Sequence, residues 1–248
     1  MKIYGLIGFP LEHSFSKRYF SEKFEKENIT GCSYRNFSME NIDGFPLLVR
    51  NTTGLAGLNV TIPYKEKVIS FLDELDPVSG DIGAVNTIKI STINGDPYLK
   101  GYNTDAWGFE QSLKPYLTTN VRKALVLGTG GASKAVNYVL KNLGIDVLFV
   151  SRAKTKGAVT GYEALDAGLL ETYKLIVNTT PLGTYPDTAG FPPIPYEHLT
   201  ENHVLFDLVY NPPVSVFLSK GEEAGAQTVN GWEMLKLQAE RAWDIWMS

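Results

Sequence analysis

Gly128, Gly130 and Gly131 fall between an apolar run, Lys123–Leu127, and a stretch with helical periodicity. Glycines in that context allow a tight turn and close backbone approach to a pyrophosphate, with the helix N-terminus supplying amide donors. Ser133 stands where a third glycine is usual. The other reading is a loop made flexible by its glycines. The next apolar strand ends at Val150-Ser151-Arg152 without the acidic residue that would bind the ribose hydroxyls of NAD. Arg152, Lys154 and Lys156 follow instead. A guanidinium can pair bidentately with a 2′-phosphate and stack on adenine, which favours NADP over NAD. The bland alternative is a solvated basic loop.

Polar residues also gather in the first half without an evident folding purpose. Ser14 and Ser16 put two hydroxyls two residues apart. Asn59 and Thr61 share one face of an extended segment that runs on to Lys65. Asn86 and Thr87 lie in a strand, where polar groups need partners once buried. Asn103-Thr104-Asp105 precedes a helix, so Asp105 could be its N-cap. Cys32 is the only cysteine, which excludes an intrachain disulfide and fits a reducing compartment. His13, His198 and His203 lack metal-ligand spacing, so no metal is expected.

These residues need elements to position them. Lys2–Gly8 is predicted as a first strand rather than a leader segment. Ser16 is placed as the cap of a helix with Tyr19, Phe20 and Phe24 on its apolar side. Cys32–Phe37 alternates like a strand. Gly57–Thr61 reads as a short strand, with Pro63 at the first turn of a helix that Lys65 opens. Ala84–Ile90 is a strand, and Asn94-Gly95 signals a hairpin. From Val121 onward, buried strands alternate with helices, the pattern of a parallel sheet covered on both faces. Ala132, Ala135, Val136, Val139, Leu140 and Leu143 form the stripe of the helix after the glycine turn, and Gly144 stops it. Gly231–Trp246 is an amphipathic helix carrying Trp232, Leu235, Ala239, Ala242, Trp243 and Trp246. Thr184–Thr200 is proline-rich and irregular. The fold class is therefore α/β.

Hydrophobic residues make up 44% and charged residues 20% of the 248, the balance of a soluble globular chain. A net charge of −4 and a pI near 5.5 give no footprint for nucleic acid. No apolar run approaches the roughly 20 residues that span a bilayer.

Motifs along nearly the whole chain resemble those of the shikimate dehydrogenase family. They are His13-Ser14-x-Ser16, Asn59-Val60-Thr61-x-Pro63-x-Lys65, Gly83-Ala84-Val85-Asn86-Thr87 and Gly101-x-Asn103-Thr104-Asp105. The glycine turn, Asn178-Thr179-Thr180, Asp207-Leu208-Val209-Tyr210 and Gly231-x-x-Met234-Leu235-x-x-Gln238 continue the match. Each motif alone is weak; their order makes the match specific.

The resemblance implies two domains. Residues 1–103 with 231–248 would form an α/β substrate and catalytic domain, to which the last helix returns. Residues 104–230 would form a doubly wound Rossmann-type NADP domain. The implied activity is reversible, NADPH-dependent reduction of 3-dehydroshikimate to shikimate, in the biosynthesis of chorismate and aromatic amino acids. Ser14 and Ser16 would hold the substrate carboxylate. Asn59, Thr61, Lys65, Asn86, Asp105, Tyr210 and Gln238 would bind the rest, with Lys65 and Asp105 as the catalytic pair. Lys65 is either the proton donor or a binding group. Gly128, Thr129, Gly130, Gly131, Ala132, Ser151, Arg152 and Lys156 would bind NADP, with Leu208 and Gly231 at the nicotinamide end through their backbone.

The partners implied are small molecules, with no nucleic acid or membrane, for a cytoplasmic monomer or homodimer. Lys17 replaces the family's proline after the second serine, and Ser151-Arg152-Ala153 replaces Asn-Arg-Thr. Leu208 replaces a common methionine, and Trp232-Glu233 replace small residues. Three rival functions stand beside this one: a quinate/shikimate dehydrogenase using NAD, a non-catalytic shikimate-binding sensor, and another two-domain lysine-dependent dehydrogenase such as a methylene-tetrahydrofolate enzyme, which lacks the Ser-x-Ser and C-terminal Gln matches.

Overall fold

The apolar run Lys2–Gly8 is a strand (β1) in which every residue after Lys2 is buried. It belongs to a computed structural model that describes residues 1–11, 14–117, 121–152 and 159–248. His13, Lys154 and Lys156 lie outside the described residues. Contacts divide the chain into two units: Met1–Thr104 with Ala239–Ser248, and Asp105–Gln238.

In the first unit α1 (Phe15–Lys26) follows β1. Its N-cap is Ser14 rather than Ser16, because the apolar stripe begins earlier, at the buried Phe15, whose ring lies 5.1 Å from that of Tyr19. Then come β2 (Cys32–Ser38), α2 (Phe45–Asn51), β3 (Leu55–Val60), β4 (Glu74–Leu75), α3 (Pro77–Ile82), β5 (Thr87–Ile93) and β6 (Asp96–Tyr102). Their sheet order is β2-β1-β3-β5-β6-β4. The β1 pairings with β2 and β3 are parallel, and those of β5 with β3 and β6 are antiparallel. Asn94 and Gly95, both at positive φ, close the β5–β6 hairpin between the paired Ile93 and Asp96.

The helix expected to start at Pro63 is absent. Tyr64 N–H bonds the Thr61 carbonyl, and the Lys65 carbonyl is taken by Val85 N–H at 2.7 Å, a tertiary bond that competes with a helical ladder. Lys65 therefore sits in a turn ahead of a short 3-10 stretch, Lys67–Phe71. One core of this unit gathers Tyr4, Phe20, Phe24 and Tyr34 with Trp243 and Trp246 from the last ten residues.

The second unit opens with α4 (Thr104–Leu113), which begins at its neighbour in sequence. Asp105 is the second residue of that helix and not its N-cap. There follow β7 (Lys123–Leu127), α5 (Gly131–Asn142), β8 (Asp146–Val150), β9 (Val159–Thr160), α6 (Ala167–Thr172), β10 (Leu175–Asn178), β11 (Val204–Asp207), α7 (Val216–Glu223), β12 (Gln227–Val229) and α8 (Trp232–Met247). The sheet order is β12-β11-β10-β7-β8-β9, and every pairing is parallel. Read from β9 this is the doubly wound order, reversing direction between β7 and β10. Ligands bind such sheets outside the carboxyl ends of the strands at that reversal. Gly144 ends α5 at φ +71. Among the described residues no helix is long and apolar enough to cross a membrane, and no His, Cys, Asp and Glu cluster could hold a metal.

Candidate active site

In the first unit a buried polar network joins several of the sequence-selected residues. Asn59, near the end of β3, pairs in register with Thr87 on β5. Its Oδ1 accepts from the Tyr34 hydroxyl at 2.7 Å. Its Nδ2 donates to Thr87 Oγ1 at 3.3 Å and to the Asn86 carbonyl at 3.4 Å. Asn86 Oδ1 accepts from Thr104 N–H at 2.7 Å, and its Nδ2 donates to Thr104 Oγ1 at 2.9 Å. An amide side chain thus holds the start of α4, one residue before Asp105.

Tyr34 also hydrogen-bonds Ser16. Burial pushes its phenol well above the ordinary range, so the hydroxyl stays protonated. Sequence reasoning passed over Tyr34; the only available signal was a tyrosine on the inward-facing side of the Cys32–Phe37 alternation. Ser14 differs from its neighbours. It is the N-cap of α1, yet its side chain makes no cap bond, and its hydroxyl oxygen is buried without a partner among the described residues. An uncapped helix N-terminus beside an unpartnered hydroxyl suits an anionic oxygen. Thr61 is half-buried just beyond β3, and Lys65 is half-buried in the turn that follows.

The second unit carries the nucleotide-type features. Gly128 ends β7 at φ +104, and a Cβ there would stand 2.9 Å from Thr179 Oγ1 and 3.0 Å from Thr180 Cγ2. Only glycine fits that conformation and that approach. The Thr179 hydroxyl donates to the Leu127 carbonyl at 2.7 Å, tying β10 to β7 at the sheet's reversal. Gly130 is the N-cap of α5, no side chain caps that helix, and a Cβ at Gly130 would meet nothing within 4 Å. The helix N-terminus beside Gly130, Gly131 and Ala132 is therefore open to a phosphate, which fits a dinucleotide. Ser133 turns inward and donates to the Gly130 carbonyl at 2.6 Å, filling the place of the missing third glycine. Ser151 N–H bonds the Thr160 carbonyl at 2.9 Å, and Arg152 is exposed beside Tyr162.

At the carboxyl end of β11, Asp207 is fully buried. Its Oδ1 accepts from Asn178 Nδ2 at 2.9 Å and from Val209 N–H at 3.0 Å, and its Oδ2 from the Ser215 hydroxyl. Burial outweighs these bonds and pushes its carboxyl up to about 6. Asn178 Oδ1 in turn accepts from Thr180 N–H and from the Thr180 hydroxyl. A Cβ on Gly231 would lie 2.2 Å from the Leu208 carbonyl oxygen, so these two backbones meet where any other residue would clash. The rings of Tyr210 and Trp232 lie 6.5 Å apart, and Gln238 Nε2 donates to the Leu235 carbonyl. In the first unit the network brings Ser16, Asn59 and Asn86 together; Lys65 belongs to that unit and Asp105 opens the second.

Comparison with known proteins bears on these features as a set. The family model described as the shikimate dehydrogenase substrate binding domain matches residues 6–88. A shikimate dehydrogenase (NADP(+)) from Halothermothrix orenii is 36% identical, spanning 99% of this chain and 90% of the relative. The crystal structure of shikimate dehydrogenase 1 from Peptoclostridium difficile is 36% identical with a TM-score of 0.83, covering 100% of this chain and 92% of that one. That of the shikimate 5-dehydrogenase from Thermus thermophilus, solved in complex with NADP(H) and shikimate, is 30% identical with a TM-score of 0.84, covering 99% and 93%. The first unit corresponds to the substrate domain of that fold and the second to its Rossmann-type domain, and with 99% of its length matched to a relative at 36% identity, this chain belongs to the shikimate dehydrogenase family.

Proposed function

We propose that this chain catalyses the reversible, NADPH-dependent reduction of 3-dehydroshikimate to shikimate, as a step in making chorismate and the aromatic amino acids. The observation that carries this reading is a pair of prepared sites. One is the uncapped helix N-terminus with the unpartnered Ser14 hydroxyl, suited to a carboxylate. The other is the open glycine turn at the reversal of a doubly wound sheet, suited to a dinucleotide.

Ser14 and Ser16 receive the substrate carboxylate. Asn59, Thr61, Asn86, Tyr210 and Gln238 orient the ring hydroxyls. Gly128, Thr129, Gly130, Gly131 and Ala132 cradle the pyrophosphate. Ser151, Arg152 and Lys156 take the 2′-phosphate, and the backbones of Leu208 and Gly231 flank the nicotinamide. When bound, NADPH supplies the hydride that goes to the carbonyl carbon. The Lys65 ammonium meets the charge that builds on the carbonyl oxygen and gives it a proton, while the Asp105 carboxylate holds a hydroxyl of the substrate. The single cysteine supports a reducing, cytoplasmic setting, for a monomer or homodimer.

The test is steady-state absorbance at the NADPH band with shikimate and quinate, each with NADP and with NAD. Shikimate with NADP is expected to be the preferred pair. A preference for quinate with NAD would replace this reading with that of a quinate/shikimate dehydrogenase. Binding of shikimate without turnover would make the protein a sensor.

A further inference from the structure

Asp207 is an anion in an unusual place. It ends β11 fully buried, and its bonds come from an amide side chain, a backbone N–H and a hydroxyl, all of them neutral donors. Among the described residues no lysine, arginine or histidine pairs with it. The ionisable group that feels its charge is the Tyr196 phenol, which is neutral at working pH. A buried charge without a counter-ion is costly, and such groups concentrate where a site uses the charge. With its carboxyl near 6, the group is ionised at pH 8.

Its position suggests what would use that charge. Asp207 precedes Leu208 in the chain, and a Cβ on Gly231 would stand 2.2 Å from the Leu208 carbonyl oxygen and 3.2 Å from that of Asp207. A ring laid against the Leu208 and Gly231 backbones thus lies within roughly 10 Å of the carboxylate, by the reach of adjacent residues. The nicotinamide ring is cationic in the oxidised dinucleotide and neutral in the reduced one. A fixed anion in a low-dielectric interior distinguishes the two forms by charge alone.

We propose that Asp207 sets the relative affinity of this chain for the two redox forms of its dinucleotide, its buried negative charge favouring the form with the cationic ring; this rests on the reading that Leu208 and Gly231 flank the nicotinamide. It is a determinant of cofactor state that touches neither substrate nor cofactor.

The test is the dissociation constant of NADP+ and of NADPH for the full chain at pH 8, in the wild type and in Asp207→Asn. The substitution is isosteric, keeps Oδ1 as the acceptor for Val209 N–H and Asn178, removes the charge, and turns the atom facing Ser215 into a donor that the Ser215 hydroxyl can accept. The ratio of the NADP+ constant to the NADPH constant is expected to rise about 3-fold to 10-fold, the scale of one screened interior charge. NADPH binding itself should change by less than about 3-fold, since its ring carries no charge for the anion to act on. An unchanged ratio, or an equal weakening of both forms, overturns the proposal. Wild-type protein that binds neither form would instead overturn the cofactor reading and the proposal with it. Melting curves of both proteins establish that the variant is folded.

Discussion

Single residues carry two different kinds of claim in this chain. Lys65 and Asp105 are the proposed chemical pair, and the expected cost of removing either is large. Lys65→Ala and Asp105→Asn should each lower kcat at least about 100-fold, the scale of lost acid–base and electrostatic assistance. Both proteins should keep wild-type melting curves, and turnover near wild type in either would remove that residue from the chemistry. Asp207 makes a separate prediction about stability. Burial pushes its carboxyl in the fold up to about 6 from the ordinary 3.8. A raised acid binds protons more tightly in the fold, so its stabilising share is present below about pH 4 and is lost as pH rises through 6. Asp207→Asn should therefore gain about 1.4 kcal/mol on the wild type between pH 5 and pH 8, the part of the shift that lies above pH 5. Urea unfolding of both proteins at the two pH values reads this directly, and a constant gap would contradict it. At this scale the sequence was partly legible. An acid inside the apolar run Val204–Val209 was visible, but its lack of a counter-ion was not, because partners arrive from Asn178 and Ser215, which are distant along the chain. Tyr34 was hidden for the same reason: its bonds to Asn59 and Ser16 cross strands and helices.

Elements were more legible where local rules and tertiary packing agree. The hairpin at Asn94-Gly95, the glycine turn and the α5 stripe all follow local chemistry, and all appear where expected. The expected helix at Pro63 failed because the Lys65 carbonyl is spent on Val85, a contact no local pattern announces. Short helices such as α2, α3, α6 and α7 are one or two turns long and leave too few periodic positions to read. Two glycines within these elements should respond oppositely to alanine. A Cβ on Gly57 in β3 would stand 2.3 Å from Trp246 Nε1, and that indole cannot retreat. It donates to the Ile88 carbonyl at 3.0 Å and stacks on Tyr4 at 4.8 Å. Gly57→Ala should cost about 1–3 kcal/mol, the penalty of overpacking a filled core. Gly80, exposed in α3, would meet nothing within 4 Å, and Gly80→Ala should stabilise by about 0.5–1 kcal/mol. Thermal melts that move both variants in one direction would refute the packing argument.

At the scale of the whole chain, the first unit is completed only by Ala239–Ser248, far in sequence from the rest of it. Trp243 and Trp246 enter a core whose other buried aromatic members, Tyr4, Phe20, Phe24 and Tyr34, come from the first forty residues. The rings meet closely: Trp243 lies 5.3 Å from Tyr4 and 5.2 Å from Phe24, and Trp246 lies 5.4 Å from Phe20. A polar clasp lies beside them. Glu240 accepts from Tyr19 and, at 2.7 Å, from the Lys23 ammonium, which also reaches Glu27. Deleting a buried tryptophan costs about 3–5 kcal/mol, and a domain holds only about 5–15 kcal/mol in total. Losing both tryptophans and the clasp together should exhaust the stability of the first unit. The second unit keeps its parallel sheet and its own apolar core, with Leu125, Ile176, Leu205 and Phe217 at the centre. A chain ending at Gln238 is therefore expected to show protease cuts throughout residues 1–104 while 105–238 survives, with far-UV circular dichroism reduced in proportion. The replacement Trp246→Phe in the full chain should keep both units folded at a lower melting temperature, because an aromatic ring remains while the bond to Ile88 and part of the indole's packing are lost. A truncated chain that resists protease over residues 1–104 would mean that the terminal helix decorates a core already sufficient without it.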